Sequence, residues 1–167
     1  YFAHVPVEDL RGRSEKIMAR VALDHLEFGA VRRKGRSKLR IYNPTTESHG
    51  YESSYTFIEM INEDMPFLVD SVSAAVTRQG LGVHITVHPI VAVVRDAKGK
   101  LEKITDSDAN EGIRESFIRI AVDRETDPKR LKLLEQEVSR VLSDVRVTVR
   151  DWQKMRRKME ETRDLLE

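Results

Sequence analysis

Cysteine is absent from the 167 residues, which removes disulfides, thiolate nucleophiles and thiolate metal ligands together and suits a cytoplasmic setting. A charge excess of either sign is missing too. The 29 Lys and Arg stand against 28 Asp and Glu, so no long-range field draws in nucleic acid or an anionic membrane. No apolar run approaches the roughly 18 to 20 residues that span a bilayer. The opening YFAHVPVEDL has no basic stretch leading into an apolar one, so neither a membrane span nor a secretory leader is expected. Dinucleotide and nucleotide fingerprints are lacking as well: Gly80 and Gly82 have no third glycine and stand at a helix end, and no P-loop occurs. What is present is a chain with 40% hydrophobic residues, enough for one domain with a true core. It opens at Tyr1 and closes inside the helical pattern DWQKMRRKMEETRDLLE, as a segment of something longer would.

Periodicity orders the elements. Leu10, Ile17, Val21, Leu23, Leu26 and Phe28 have enough three- and four-residue steps to predict helix from Val7 to about Arg33. RRKGRSK breaks it, KLRIY reads as a short strand closed by Asn43-Pro44, and a polar loop TTESHGYESS follows. YTFIEMI, residues 55–61, is β-branched and aromatic, as a strand inside a sheet would be. That strand stops before Pro66, whose missing N–H and preset φ suit a first helical turn. Leu68, Val72, Ala75 and Val76 then form one buried helical stripe, ended by Gly80. From Val83 to His88 apolar residues alternate with polar ones until Pro89 bends the strand. A hairpin near Lys98-Gly99, a return strand LEKIT with a polar loop after it, and a strand SFIRIAVD complete the middle. VRVTV at 145–149 alternates like a strand, but Val138, Val141, Leu142, Val145, Val149, Trp152, Met155 and Met159 keep almost unbroken three- and four-residue steps. With no Gly or Pro after Pro128, the period predicts one long helix opening at Asp127-Pro128.

Strand, helix, strand pair, strand, helix is the order of a ferredoxin-like α+β fold, an antiparallel sheet covered by helices on one face, with an N-terminal helix and a long C-terminal helix added. The edge that a fourth strand would occupy falls to KLRIY. VEDL near the start, RIYNPT at 40–45, DMPFLVDSV at 64–72 and VLSDVRVTVRDWQKM at 141–155 together resemble the N-terminal region of the large bacterial NAD-specific glutamate dehydrogenases. The resemblance runs along nearly the whole chain. It implies an ACT-type module that binds a small effector, often an amino acid, or pairs with other copies in a homo-oligomer. It also implies a parent that oxidatively deaminates glutamate to 2-oxoglutarate with NAD, using a catalytic region outside this chain. The expected layout is an N-terminal helical segment at 1–36, the sheet core at 37–126 and the long helix at 127–167, leading to the rest of the parent.

Candidate sites follow from chemistry. His84 and His88 lie about 13 Å apart on an extended strand, too far to share one ion, so no metal site is expected. Ser71 and Ser73 lack the Gly-flanked elbow of a serine nucleophile. The basic run 32–40 reads as a solvated turn. Phe117 alone supplies no row of stacking aromatics, leaving an RNA-binding module the weakest alternative. The junction NEDMPF remains. Free N–H groups and the positive helix end suit a carboxylate, which makes Asn62, Asp64, Met65, Pro66 and Phe67 the effector-binding candidates, with the nearby acids available to an ammonium group. In effector-binding ACT modules a Gly typically follows the Pro; here Phe67 stands there, filling the pocket or packing on a partner. Asp64 is equally suited to capping the helix. Two energetic expectations come with this reading: Phe67→Gly costs about 1 kcal/mol of helix propensity plus aromatic burial, and Trp152→Ala costs about 3 to 5 kcal/mol if the stripe is packed to that point.

Overall fold

The computed structural model describes residues 1–3, 5–12, 14–105 and 112–164. The N-terminal helical segment is two helices, α1 (Val7–Leu10) and α2 (Glu15–Phe28). They are followed by β1 (Lys38–Tyr42), a single helical turn α3 (Thr46–His49) inside the expected polar loop, and β2 (Tyr55–Glu63). Helix α4 (Leu68–Arg78) leads to β3 (Val83–Val87), β4 (Ile90–Arg95), β5 (Leu101–Thr105), β6 (Ile113–Asp123) and the long α5 (Pro128–Asp164). The polar loop expected after β5 lies mostly outside the described residues.

All pairings in the sheet are antiparallel, and its order is β1-β2-β6-β4-β5. β3 pairs with the C-terminal half of β6, Val83 opposite Val122, while β4 pairs with its N-terminal half, Ile90 opposite Ser116. β3 and β4 are therefore one strand position divided at His88-Pro89. Pro89 has no N–H for the ladder, but its carbonyl still accepts from Phe117 N at 3.0 Å. β1 takes the edge beside β2, so the four-strand ferredoxin-like plan is filled from the N-terminal side. That freed the residues after β6 to form α5, and 145–149 is helix.

Each face of the sheet has its own cover. Ile58, Met60, Ile118, Ile120 and Val122 meet Leu68, Val72, Ala75 and Val76 of α4 and Leu134, Val138, Leu142 and Val145 of α5. This is the helical face expected from the two stripes. On the opposite face Phe57 and Ala121 pack with Val21 of α2 and Tyr51. A Cβ on Gly29, just past α2, would stand 2.7 Å from the Phe117 ring and 2.9 Å from Ile61, so only glycine lets the chain cross so close to that face. Because both faces are covered, all seven interior residues of β2 are buried, and the strand's sequence shows no clean alternation. Gly80 ends α4 as expected, with φ of +79°.

Helix α5 departs from the expected stripe. Its 37 residues extend about 55 Å at the usual rise per residue, and burial stops near Val145. Val149 is partly buried against the core, whereas Trp152 is 60% exposed, Met155 59% and Met159 69%. The apolar period continues for turns that no part of the sheet reaches.

Candidate functional site

The five junction residues do not converge on the start of α4. Asn62, fully buried, accepts from Ser37 Oγ at 2.8 Å and from Arg146 Nη2 at 2.6 Å, and donates to the Glu63 carbonyl at 2.8 Å. Arg146 also donates to Ser37 Oγ at 2.8 Å. Asn62 thus ties β2 to the turn before β1 and to α5. Asp64 turns to β6 instead: its Oδ1 accepts from Ser116 Oγ at 2.8 Å, its Oδ2 lies 3.7 Å from Arg114 Nε, and its backbone N–H bonds the Arg114 carbonyl at 2.9 Å. It does not cap α4. Met65 packs on the helical-face core and Pro66 is exposed.

Phe67 holds the N-cap position with φ 71° and ψ 1°. It is the one non-glycine with positive φ among the described residues, and its ring is 59% exposed. This left-handed conformation is the one glycine adopts at no cost. Phe67 borders a shallow groove of about 280 Å³ between α4 and α5 that is also lined by Asp70 and Asp144. Two acids beside the helix start oppose the attraction that its N–H groups offer a carboxylate.

Sequence reasoning missed two buried ionic clusters on the other face. In the first, Glu59 accepts from Arg40 Nε at 2.7 Å, from Tyr42 at 3.1 Å and from Arg119 Nη1. Arg40 reaches Asp24 Oδ2 at 2.6 Å. Arg119 bonds the hydroxyls of Tyr42 and Tyr51, each at 2.7 Å, with its guanidinium 3.7 Å from the Phe57 ring centre. Burial works to raise the Glu59 carboxyl, but the surrounding cations, Arg119 and Arg40 among them, overcome it and keep the group ionised below its ordinary range. Burial raises the phenols of Tyr42 and Tyr1 and pushes the His25 imidazole down to about 4, leaving His25 neutral with Nδ1 2.7 Å from the Tyr1 hydroxyl.

The second cluster corrects the reading of the basic run. Arg32, only 2% exposed, is no solvated turn residue. Its Nε and Nη2 reach Glu115 Oε1 at 2.9 and 2.8 Å, and Arg95 holds both oxygens of the same carboxylate at 2.7 Å each. The charges at 40, 59, 115 and 119 sit on strands otherwise rich in apolar residues. Glu and Arg inside such strands were the available signal, because a buried charge requires a partner.

Of the two histidines considered in the sequence, His84 bonds Asp123 Oδ1 through Nε2 at 2.7 Å. No group of three or more His, Asp and Glu among the described residues is arranged to hold a metal. None of the described helices is long and apolar enough to cross a membrane. The ionic groups of both clusters hold α2, β1 and the 32–36 turn against the sheet, which is a positioning chemistry.

An antiparallel sheet with a strand-helix-strand core and a long terminal helix is the ACT-type α+β architecture. The chain belongs to the family described as glutamate dehydrogenase, ACT1 domain, whose family model matches residues 1–138. Two curated relatives are similar to it. The NAD-specific glutamate dehydrogenase of Halomonas elongata is 38% identical over 159 residues, covering 93% of this chain and 10% of the relative. That of Pseudomonas aeruginosa is 37% identical over 126 residues, covering 74% of this chain and 8% of the relative. The chain therefore spans about a tenth of the length of the relatives it matches.

Proposed function

We propose that this chain is a non-catalytic regulatory or assembly domain of an NAD-dependent glutamate dehydrogenase. The parent would be a cytoplasmic homo-oligomer whose other regions oxidatively deaminate L-glutamate to 2-oxoglutarate with NAD. The observation that carries this reading is how the charged residues are used. Those at the junction and in both buried clusters bond one another, neighbouring hydroxyls and the backbone, tying elements together, and among them no nucleophile is set against a base as catalysis would require. The β2–α4 turn reads Asp64-Met65-Pro66-Phe67, without the glycines that let a pyrophosphate approach a strand-to-helix turn. The helical segment 1–36 and the core 37–126 act as one packed body, and 127–167 leads toward the remainder of the parent. Phe117, the single aromatic that an RNA-binding sheet would have offered, is 2% exposed.

Amino-acid sensing at 62–67 is the second reading, favoured by the glycine-like backbone that Phe67 adopts. Kinetics of the full-length parent test the first. Substitutions at Phe67 are expected to alter association or effector response while leaving glutamate-dependent NAD reduction at saturation intact. Turnover by the isolated 167-residue chain, abolished by a point mutation within it, would overturn the proposal. Calorimetry with amino acids tests the second: micromolar binding lost in Asn62→Ala and Asp64→Ala would make the junction a working sensor.

A further inference from the structure

A cavity of about 300 Å³ lies between the N-terminal helices and the sheet face opposite α4 and α5. It is distinct from the 62–67 junction. Its walls are mostly apolar, Met18 and Val21 of α2 facing Phe57, Ile85 and Ala121 of the sheet with Leu10 of α1 over the top, while Ser14, Ser53 and the exposed Glu52 also line it. Its size suits a small organic molecule and falls at the lower end of the range for ligand pockets. α1 contributes no buried residue, so this part of the roof is held by little apolar contact and its opening disrupts none of the core.

The polar end is built from Tyr51 and Arg119, which are 5% and 4% exposed and both line the cavity. A guanidinium carries five N–H donors. Nη1 of Arg119 serves Tyr42 and Glu59, and Nη2 serves Tyr51. Nε–H has no acceptor among the described residues. It lies on the edge of the guanidinium shared with Nη2, the edge that receives a carboxylate in a bidentate pair. Glu59 is the carboxylate in contact with Arg119, and Arg40, which shares it at 2.5 Å, has Asp24 as a second partner at 2.6 Å. The two guanidiniums and two carboxylates balance, so a ligand carboxylate would meet Arg119 through the donor that the cluster leaves unused.

We propose that this cavity is a binding site for a small carboxylate with a branched or aromatic apolar body, the carboxylate held by the Nε/Nη2 edge of Arg119 and the body lying between α2 and the sheet. Its use in regulation rests on the reading of the chain as a regulatory domain. The binding itself does not, and it is measured on this chain alone.

The test uses isocaproate, its alcohol isohexanol and L-leucine as probes in calorimetry and thermal unfolding. Isocaproate is expected to bind at a single site and raise Tm with concentration, with isohexanol at least about tenfold weaker, a loss equivalent to 1.4 kcal/mol. L-Leucine distinguishes the source of the shared carboxylate chemistry. Binding tighter than isocaproate assigns the site to amino acids and weaker binding to acids without an amine, and either supports it. Ile17→Trp fills the mouth from a position that is 41% exposed and is expected to weaken isocaproate at least about tenfold; Arg119→Lys should do the same. If Arg119→Lys does not fold, Ile17→Trp and Ala121→Leu decide. Equal binding of acid and alcohol, no binding of isocaproate, or isocaproate binding that survives Ile17→Trp and is lost in Asn62→Ala would each overturn the proposal.

Discussion

Replacing Phe67 by glycine and, separately, by alanine separates two accounts of the α4 start by the sign of one difference. The backbone there has φ 71°, a conformation that costs a residue with a Cβ about 1 to 2 kcal/mol. The ring is 59% exposed, so the buried remainder, some two-fifths of an aromatic side chain, contributes about 2 kcal/mol. Both substitutions forfeit that contribution, and it cancels in the comparison. What differs is strain, relieved in glycine and kept in alanine, against the extra freedom glycine gives the unfolded chain, about 0.5 to 1 kcal/mol. Phe67→Gly is therefore expected to be more stable than Phe67→Ala by about 0.5 to 1 kcal/mol. An ordinary position in a helix's first turns gives the opposite order by about 1 kcal/mol, which was the basis for expecting glycine to cost helix propensity here. Urea unfolding followed by far-UV circular dichroism, with m equal across variants, reads the difference as a midpoint shift. Alanine as stable as glycine, or more so, would refute the claim that strain is stored at Phe67.

Stability should fall as pH drops through a window set by His25. Its imidazole is pushed down to about 4 from 6.5, so between those values the unfolded chain binds a proton that the folded one refuses; up to about 3 kcal/mol present above pH 6.5 is lost by pH 4. His25→Phe should flatten that slope in urea titrations at stepped pH, and an unchanged slope would remove His25 as its cause. Glu115→Gln should cost about 3 to 5 kcal/mol, because it strips the buried Arg32 and Arg95 of their shared counter-ion; a loss under about 1 kcal/mol in thermal unfolding would mean that water reaches the pair. Trp152→Ala should change stability by no more than about 0.5 kcal/mol, in place of the larger cost expected from the helical stripe, since the indole is 60% exposed; chemical denaturation of the variant checks it.

The fold was legible wherever one signal dominated. A four-residue apolar step identified α4 and α5, Pro89 marked the break between β3 and β4, and KLRIY took the edge strand. Where a single face decided the pattern, period was enough. The N-terminal segment was legible as helical, though as one helix to about Arg33 in place of two that end at Phe28, and not as the cover of a second face, because β2 and β6 are buried on both sides and lose the alternation that assigns residues to faces. The reach of α5 was overread for a related reason: periodicity records which residues share a stripe and says nothing of where the partner surface ends. At the junction the strand-to-helix geometry was legible, but the destinations of Asn62 and Asp64 depended on Arg146 and Ser116, 84 and 52 residues away. Pairing over that separation leaves no local mark. The strand charges at 59, 115 and 119 did leave one, and a buried cation beside Tyr51 is what they led to.

The unburied end of α5 turns the domain into a lever. From about residue 150 to Asp164 the helix runs clear of the sheet for some 20 Å at helical rise. A continuous helix of this length bends little, so a rotation of the sheet by about 10° would carry the far end through roughly 4 Å of arc, taking that 20 Å as the radius. Asn62 and Arg146 pin the helix to β2 near the start of this span, which makes them the fulcrum. A change in packing too small to alter the core would thus reach residue 164 enlarged and with its direction preserved.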